Sequence, residues 1–205
     1  MKAKVIFFVA AIAVIISCAL QRAYIHTYTD PALSNTVIKR IAVFPIKNTW
    51  FAPSEARQIN QKITSAIQEL NPGISVLNPA ESVRILNEND LVDDWGYFMN
   101  NFVSSGIPDS KVLSEIGKAL EVDAILQGEV LNVFREDGFP GDAGRNGLTK
   151  VTVNFTLLGI DDARLLWEAS SDGIKRTLTS IESAPPVIEA VDLAIGKIME
   201  NLPPL

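Results

Sequence analysis

The pattern of hydrophobic and polar residues begins with an uninterrupted apolar run. Residues 5–16 are all apolar, and Lys2 and Lys4 precede them. A helix that crosses a bilayer needs roughly 20 apolar residues, whereas a secretory signal uses about 7–15 behind a basic start. The pattern therefore predicts a signal peptide over residues 1–17. An uncleaved N-terminal anchor is the alternative, because the apolar run can be counted further, to Leu20.

Downstream of residue 36, the apolar residues alternate between the spacing of strands and the spacing of helices. The predicted strands are residues 37–47, 74–77, 122–134, 149–160 and 164–170. The predicted helices begin near Pro53, at Asn78, at Leu91, at Asp109 or Ser110, and at Pro185. Most of these helix starts carry a capping side chain or a proline at the first helical position, as helix N-termini usually do.

This order predicts an α/β (α+β) fold: a mixed sheet with helices packed on it, closed by a C-terminal antiparallel three-stranded meander. Pro45 is awkward in a central strand and indicates an edge, a bulge or the end of the strand. Residues 18–36 are mixed and polar with little periodicity, so they are expected to form a tether. Residues 37–205 are expected to form one domain.

Composition narrows the function further. The chain has 205 residues and a net charge of −6, and loss of Lys2 and Lys4 makes it more acidic still. A basic patch for nucleic acid is absent from the sequence, as is a polybasic segment for anionic lipid. With one cysteine, Cys18, the chain cannot form an internal disulfide. The only histidine, His26, lacks the companion ligands that a metal site needs, so no metal is expected.

Cys18 follows the apolar run in a context that resembles the bacterial lipobox, Ile15-Ile16-Ser17-Cys18. The resemblance implies cleavage before Cys18, a diacylglycerol thioether on its sulfur and an N-acyl chain on its amino group. A thiolate suits such alkylation, and each buried methylene contributes about 0.8 kcal/mol to membrane binding. Because Ala19 rather than aspartate follows, the resemblance favours the periplasmic face of the outer membrane.

Several segments resemble one superfamily of periplasmic lipoproteins. They are IAVFP at residues 41–45, LEVDAILQGEV at 120–130, and LGID at 158–161 leading to LLW at 165–167. The superfamily includes the curli-secretion channel lipoprotein, the outer-membrane activators of penicillin-binding proteins, and domains similar to the N-terminal domain of the Tol-Pal translocation protein. The resemblance implies a mixed α/β domain and non-catalytic work. A secretion pore is disfavoured, because no spare pair of membrane-spanning strands of about 9–11 residues is found.

Two sets of residues are candidates for binding. The glycine-rich segment 136–148 is either a flexible hairpin tip or a partner-contacting loop, with Phe139 and Arg145 as anchors. Trp95, Phe98 and Phe102 recur at helical spacing. Such a stripe is more often core than binding site, and the alternative is an apolar groove for a small ligand.

Catalysis is not expected from this sequence. Asp93-Asp94 and Asp161-Asp162 are adjacent pairs that suit capping or turns, and Glu129 has no evident second acid for glycan cleavage. The predicted function is a non-enzymatic, lipid-anchored domain that binds or regulates another envelope protein or assembly. The alternatives are a carrier or sensor of a small apolar ligand, and a subunit of a secretion complex. No cofactor is expected apart from the acyl chains on Cys18.

Overall fold

The computed structural model describes residues 21–142 and 144–205, which fold around one sheet. The strands are β1 (Gln21–Thr29), β2 (Arg40–Val43), β3 (Ser75–Leu77), β4 (Ala124–Glu136), β5 (Leu148–Gly159) and β6 (Leu165–Arg176). The helices are α1 (Pro53–Leu70), α2 (Pro79–Glu88), α3 (Val92–Ser105), α4 (Ser110–Leu120) and α5 (Val187–Met199). The predicted signal peptide, Cys18 and Ala19 lie outside the described residues.

The sheet has six strands in the order β1-β6-β5-β4-β2-β3. Strand β2 runs parallel to both β3 and β4, whereas β4, β5 and β6 form an antiparallel meander. The predicted mixed sheet with its C-terminal meander is therefore confirmed. Pro45 lies two residues after the end of β2, so it marks the end of a central strand rather than an edge.

Helices pack on both faces of the sheet, but they divide it unequally. In β2, Ile41 and Val43 face the core under α1 and α5, while Ala42 and Phe44 face the core under α2, α3 and α4. Helix α5 lies across β1, β5 and β6. The alternation of side chains along a strand sends successive residues into two separate cores. Around β2 and the start of β4 the domain therefore has three layers, with helices on both faces of the sheet. Over β1, β6 and most of β5 it has two layers, with a helix on one face only.

The expected tether is wrong for residues 21–36. Strand β1 pairs antiparallel with β6 along its whole length, and a 3-10 helix follows at Pro31–Asn35, with Leu33 buried. Only one face of β1 is covered by the rest of the domain. Ala23 and Ile25 are therefore partly buried, while Tyr24 between them is exposed. An edge strand that buries so little gives a weak hydrophobic alternation, which is why it reads as a polar segment.

Ser171 lies in β6 beneath α5 and is almost fully buried, yet its hydroxyl has no hydrogen-bond partner among the described residues. A buried polar group without a partner costs about 1–3 kcal/mol. We expect Ser171→Ala to raise the free energy of unfolding by about 1 kcal/mol, measured by urea denaturation.

Ser82 provides the matched control for this change. It is equally buried, but its hydroxyl contacts the carbonyl oxygens of Val43 and Asn78, each at 3.1 Å. Ser82→Ala removes these bonds and should therefore give no such gain. Equal effects of the two substitutions would show that the hydroxyl of Ser171 is satisfied.

Candidate functional site

One face of the sheet is left without a helix over β1, β6 and β5, opposite α5. Along β5, Val151, Val153 and Phe155 are buried under α5, whereas Thr152 and Asn154 point the other way and are only partly buried. We call this surface the open face. The strand register arranges its residues in cross-strand rows, among them Tyr28–Glu168–Thr156–Gln127 and His26–Ser170–Asn154–Glu129.

A cleft of about 310 Å³ lies where the open face meets the C-terminal part of α3, and we call it the acidic cleft. Its apolar wall comes from Met99, Phe102 and Val103 of α3, together with Leu131 and Leu165. Its polar floor and rim come from Gln127, Glu129, Asn154, Thr156 and Glu168. The cleft therefore combines an apolar side with a cluster of hydrogen-bonding groups, which is the usual composition of a binding site.

Two polar side chains in the floor are deeply buried and have unused hydrogen-bonding capacity. Thr156 is 8% exposed, and its hydroxyl has no hydrogen bond to any described residue. Gln127 is 7% exposed and donates to the carbonyl oxygens of Pro45 (3.0 Å) and Gly128 (2.6 Å). The side-chain amide oxygen of Gln127 accepts no hydrogen bond from the described part of the chain. Both atoms line the cleft, where a bound group could form hydrogen bonds with them.

The cleft has two carboxylates, and Glu168 is the one without a basic partner among the described residues. Glu129 pairs with Lys47 at 2.8 Å, and Glu168 accepts a hydrogen bond from Asn154 at 3.1 Å. Helix α3 ends at Gly106 beside the cleft, without a basic residue in its last turn. The C-terminus of a helix carries the negative end of its dipole. A cation with an apolar stem fits this combination of charge and wall.

Glu168 is the second acid that the sequence did not pair with Glu129. The two lie on strands separated by β5, and only the strand register brings them to one cleft. Both carboxylates are held as hydrogen-bond or ion-pair acceptors by Asn154 and Lys47. Glycoside cleavage requires one of two acids to act as a proton donor. The contacts of this pair suit binding rather than that chemistry.

Elsewhere on the open face, Asp172 is fixed in an ionised state. Burial alone would raise the pKa of Asp172, but hydrogen bonds from Lys150 and Thr152, and the charges of Lys150 and His26, hold it below its usual value. Lys150 contacts the carboxylate at 2.7 Å. An ion pair therefore occupies the centre of the open face.

The two residues proposed for the glycine-rich loop lie together. The guanidinium carbon of Arg145 is 5.4 Å from the ring centroid of Phe139, within the range of a cation–π contact. Arg145 also contacts Glu136 at 2.6 Å, and this hydrogen bond raises the pKa of the guanidinium. Phe139 remains more than half exposed. A partner-binding role for the pair stays a prediction.

The residues proposed for an apolar groove differ in burial: Phe98 and Phe102 are buried, and Trp95 is partly buried. Phe44, Trp95, Phe98 and Phe102 stack in sequence, with ring centroids 4.1, 5.5 and 6.0 Å apart. Phe98, at the centre of the helical stripe, is buried in the core with Phe102. Only the two ends of the stripe reach surface clefts: Phe102 at the acidic cleft and Trp95 at a second cleft of about 320 Å³. The stripe is core, as helical spacing most often indicates.

Within residues 21–142 and 144–205, no cluster of three or more His, Cys, Asp or Glu residues is arranged to hold a metal ion. None of the helices in this part of the chain has the length and hydrophobicity to cross a membrane.

The six-stranded sheet and its helices define a single mixed α/β domain. A solved structure with this fold is the PelC dodecamer from Paraburkholderia phytofirmans, at a TM-score of 0.50 and 15% identity over 90% of this chain and 99% of that one. The resemblance indicated by the sequence is confirmed at the level of the fold.

More distant similarities are found to two other proteins. Lipoprotein GNA1162 from Neisseria meningitidis has a TM-score of 0.44 at 14% identity, covering 80% of this chain and 99% of that one. The C-terminal domain of LpoB from Salmonella enterica has a TM-score of 0.40 at 9% identity, covering 69% and 92%. No family model and no curated protein sequence matches the chain.

Proposed function

We propose that this protein is a non-enzymatic periplasmic domain, lipid-anchored through Cys18, that binds another envelope protein at the acidic cleft. The observation that carries the proposal is the cleft itself, where the Thr156 hydroxyl and the Gln127 amide oxygen have no hydrogen-bond partner among the described residues and lie beside the apolar wall from α3. Both atoms face the cleft, so a bound donor can take the place of the water that otherwise hydrogen-bonds to them.

The chemistry of the cleft selects the kind of group that binds there. Glu168 and the C-terminus of α3 favour a positive charge, Glu129 adds an acceptor that Lys47 already contacts, and Met99 and Phe102 provide an apolar wall. An arginine side chain supplies both parts, because its guanidinium carries five donors and its stem packs on apolar surface. Arginine is also among the residues that dominate binding energy at protein interfaces. The proposed occupant is therefore a partner segment that inserts an arginine.

The other two functions are less well supported. A carrier of a small apolar ligand needs an open aromatic groove, and Phe98 is closed in the core. A subunit of a secretion complex would also bind another envelope protein. The identity of the crosslinked protein shows whether the partner belongs to such a complex. Outer-membrane location rests on the lipobox and Ala19, which lie outside the described residues.

The proposal can be tested by site-specific photocrosslinking in living cells from position 131. Leu131 is half exposed on the rim of the cleft, so a photoreactive side chain there can reach a bound partner without disturbing the core. We expect one reproducible adduct with an envelope protein. Charge-assisted hydrogen bonds contribute about 1.5–3 kcal/mol each, so Glu129→Gln with Glu168→Gln should reduce the adduct about tenfold or more.

The matched control replaces two exposed acids on helix-covered parts of the domain, Glu69→Gln with Glu200→Gln. It changes the net charge by the same amount and should leave the adduct intact. If both double variants lose the adduct equally, the effect is due to overall charge. If both retain it equally, the cleft is not part of the interface. Either result overturns the proposed binding site.

A further inference from the structure

The loop after β4 and the loop after β6 are joined into one structure. The Gly138 amide donates to the carbonyl oxygen of Glu182 at 3.1 Å, and the Ala184 amide donates to the Asp137 carboxylate at 2.7 Å. The side-chain amide of Asn146 donates to the carbonyl oxygen of Thr177 at 3.0 Å. We call residues 137–142, 144–147 and 177–184 the loop platform. These bonds hold the two loops in a fixed arrangement.

The loop platform carries three large apolar side chains that face solvent. Phe139 is 56% exposed, Leu178 is 63% exposed and Ile181 is 76% exposed. Single exposed apolar residues are normal on protein surfaces, but several on adjoining loops indicate a surface that is covered in use. None of the three takes part in the two cores of the domain.

The strand register places the loop platform near the start of the described chain. Gln21 in β1 is opposite Lys175 in β6, Lys175 is opposite Thr149 in β5, and Thr149 is opposite Arg135 in β4. The beginning of β1 therefore lies at the same end of the sheet as the loops after β4 and β6. Neighbouring strands are about 4.8 Å apart, so β1 and β4 are separated by about 15 Å.

Only a short length of chain connects Cys18 to this end of the sheet. Only two residues separate Cys18 from Gln21, and a fully extended chain spans at most about 3.6 Å per residue. The α-carbon of Cys18 is therefore within roughly 11 Å of that of Gln21. A lipid attached to Cys18 holds this end of the sheet at the bilayer surface, with the loop platform beside it.

We infer that the loop platform contacts the membrane and that Phe139, Leu178 and Ile181 insert into the interfacial region of the bilayer. This inference rests on the proposed lipid anchor. The anchor raises the local concentration of the loop platform at the membrane. Insertion of only three side chains is then enough to keep the platform in contact with the bilayer. The Arg145 charge is already paired with Glu136, so the contact is apolar rather than electrostatic. The domain then stands on the bilayer with a defined orientation.

Spin labelling tests the inference on the full-length acylated protein. Because Cys18 is the only native cysteine and is consumed by lipid, Ile181→Cys supplies a single free thiol for a nitroxide. The protein is reconstituted into vesicles of phosphatidylethanolamine and phosphatidylglycerol. Collision of the label with oxygen, which partitions into lipid, is compared with collision with a water-soluble nickel complex.

The matched control is Val37→Cys, which is 72% exposed and precedes β2 at the opposite end of the sheet. We expect the label at position 181 to collide preferentially with oxygen and several-fold less with nickel than the label at position 37. Equal nickel collision at both positions, in protein that floats with the vesicles, overturns the inference alone. Shielding of position 181 from both reagents indicates a protein covering and also overturns it.

Flotation of the vesicles separates the two proposals. If the protein does not float with the vesicles and carries no lipid, the proposed anchor is wrong and the membrane contact falls with it. If it floats, only the collision data decide the contact. The labelled positions are exposed, so neither substitution should disturb folding.

Discussion

Replacing Gly173 with alanine is expected to lower the free energy of unfolding by about 3 kcal/mol, or to prevent folding. Gly173 lies in β6 where α5 crosses the sheet, and a methyl group there would overlap the carbonyl oxygen of Ala190. It would also lie 2.9 Å from the backbone nitrogen of Ala194. Both are backbone atoms of a helix, so no side-chain rotation relieves the clash. Helix α5 must move off the sheet, which opens the core around Trp167.

Gly196→Ala is the control, because it introduces the same methyl group on α5 itself. Nothing lies within 4 Å of that position, and the residue is exposed. Glycine is about 1 kcal/mol less favourable than alanine inside a helix, so this variant should be more stable than the wild type. Urea denaturation followed by circular dichroism measures both. A loss below about 0.5 kcal/mol in Gly173→Ala, the range typical of neutral surface changes, would show that the helix and strand are not closely packed.

Replacing Cys18 with serine is expected to abolish acylation and retention of the mature domain in the membrane. The proposed modification is an alkylation of sulfur, for which a serine hydroxyl is a poor substitute, since the reactive form of cysteine is the thiolate. Without acyl chains the protein loses about 0.8 kcal/mol of membrane affinity per buried methylene. Labelling with radioactive palmitate and fractionation of membranes measure the two losses.

Ser17→Ala provides the control, because it keeps a small residue before Cys18 and should leave both acylation and retention intact. A Cys18→Ser protein that stays in the membrane, beside a wild type that carries no lipid, would contradict the lipobox interpretation. That result would instead support an uncleaved apolar anchor over the first residues of the chain.

The order and type of most elements could be predicted because local chemistry marks their ends. The Asn78 side chain accepts the Glu81 amide at the start of α2, and Asp109 accepts two amides at the start of α4. Gly106 ends α3 with a φ of 69°, a conformation that glycine adopts readily. Such signals lie within a few residues of one another, so the sequence alone contains them.

Elements that depend on distant neighbours were predicted less well. The sequence predicts a tether where β1 lies, and it predicts that β6 ends at residue 170 although the strand extends to Arg176. The added part of β6 contains Ser171, Asp172 and Gly173, which favour turns when seen alone. They form a strand because β1 and β5 pair with them on both sides. Neither partner is near them in the sequence.

The acidic cleft shows the same limit for function. The sequence pattern indicates Glu129 only as a lone acid, and it gives no signal for Thr156 or Glu168. Their proximity depends on the registers of β4, β5 and β6, including a shift between Val130 and Asn132 in β4. A shift of one residue would turn these side chains to the other face of the sheet. Sequence patterns indicate strands but do not fix registers.

The pairing of β1 with β6 also has a consequence for the order of assembly. Gln21 and Lys175, which are neighbours in the folded sheet, are separated by 154 positions in the chain. Contacts between such distant residues form late, since a long loop must close first. For a chain threaded through a membrane from its N-terminus, β1 reaches the far side early but remains unpaired until β6 arrives. If the chain is exported as proposed, the segment beside Cys18 therefore stays outside the sheet during translocation, and this edge of the sheet closes only when almost the whole chain has crossed.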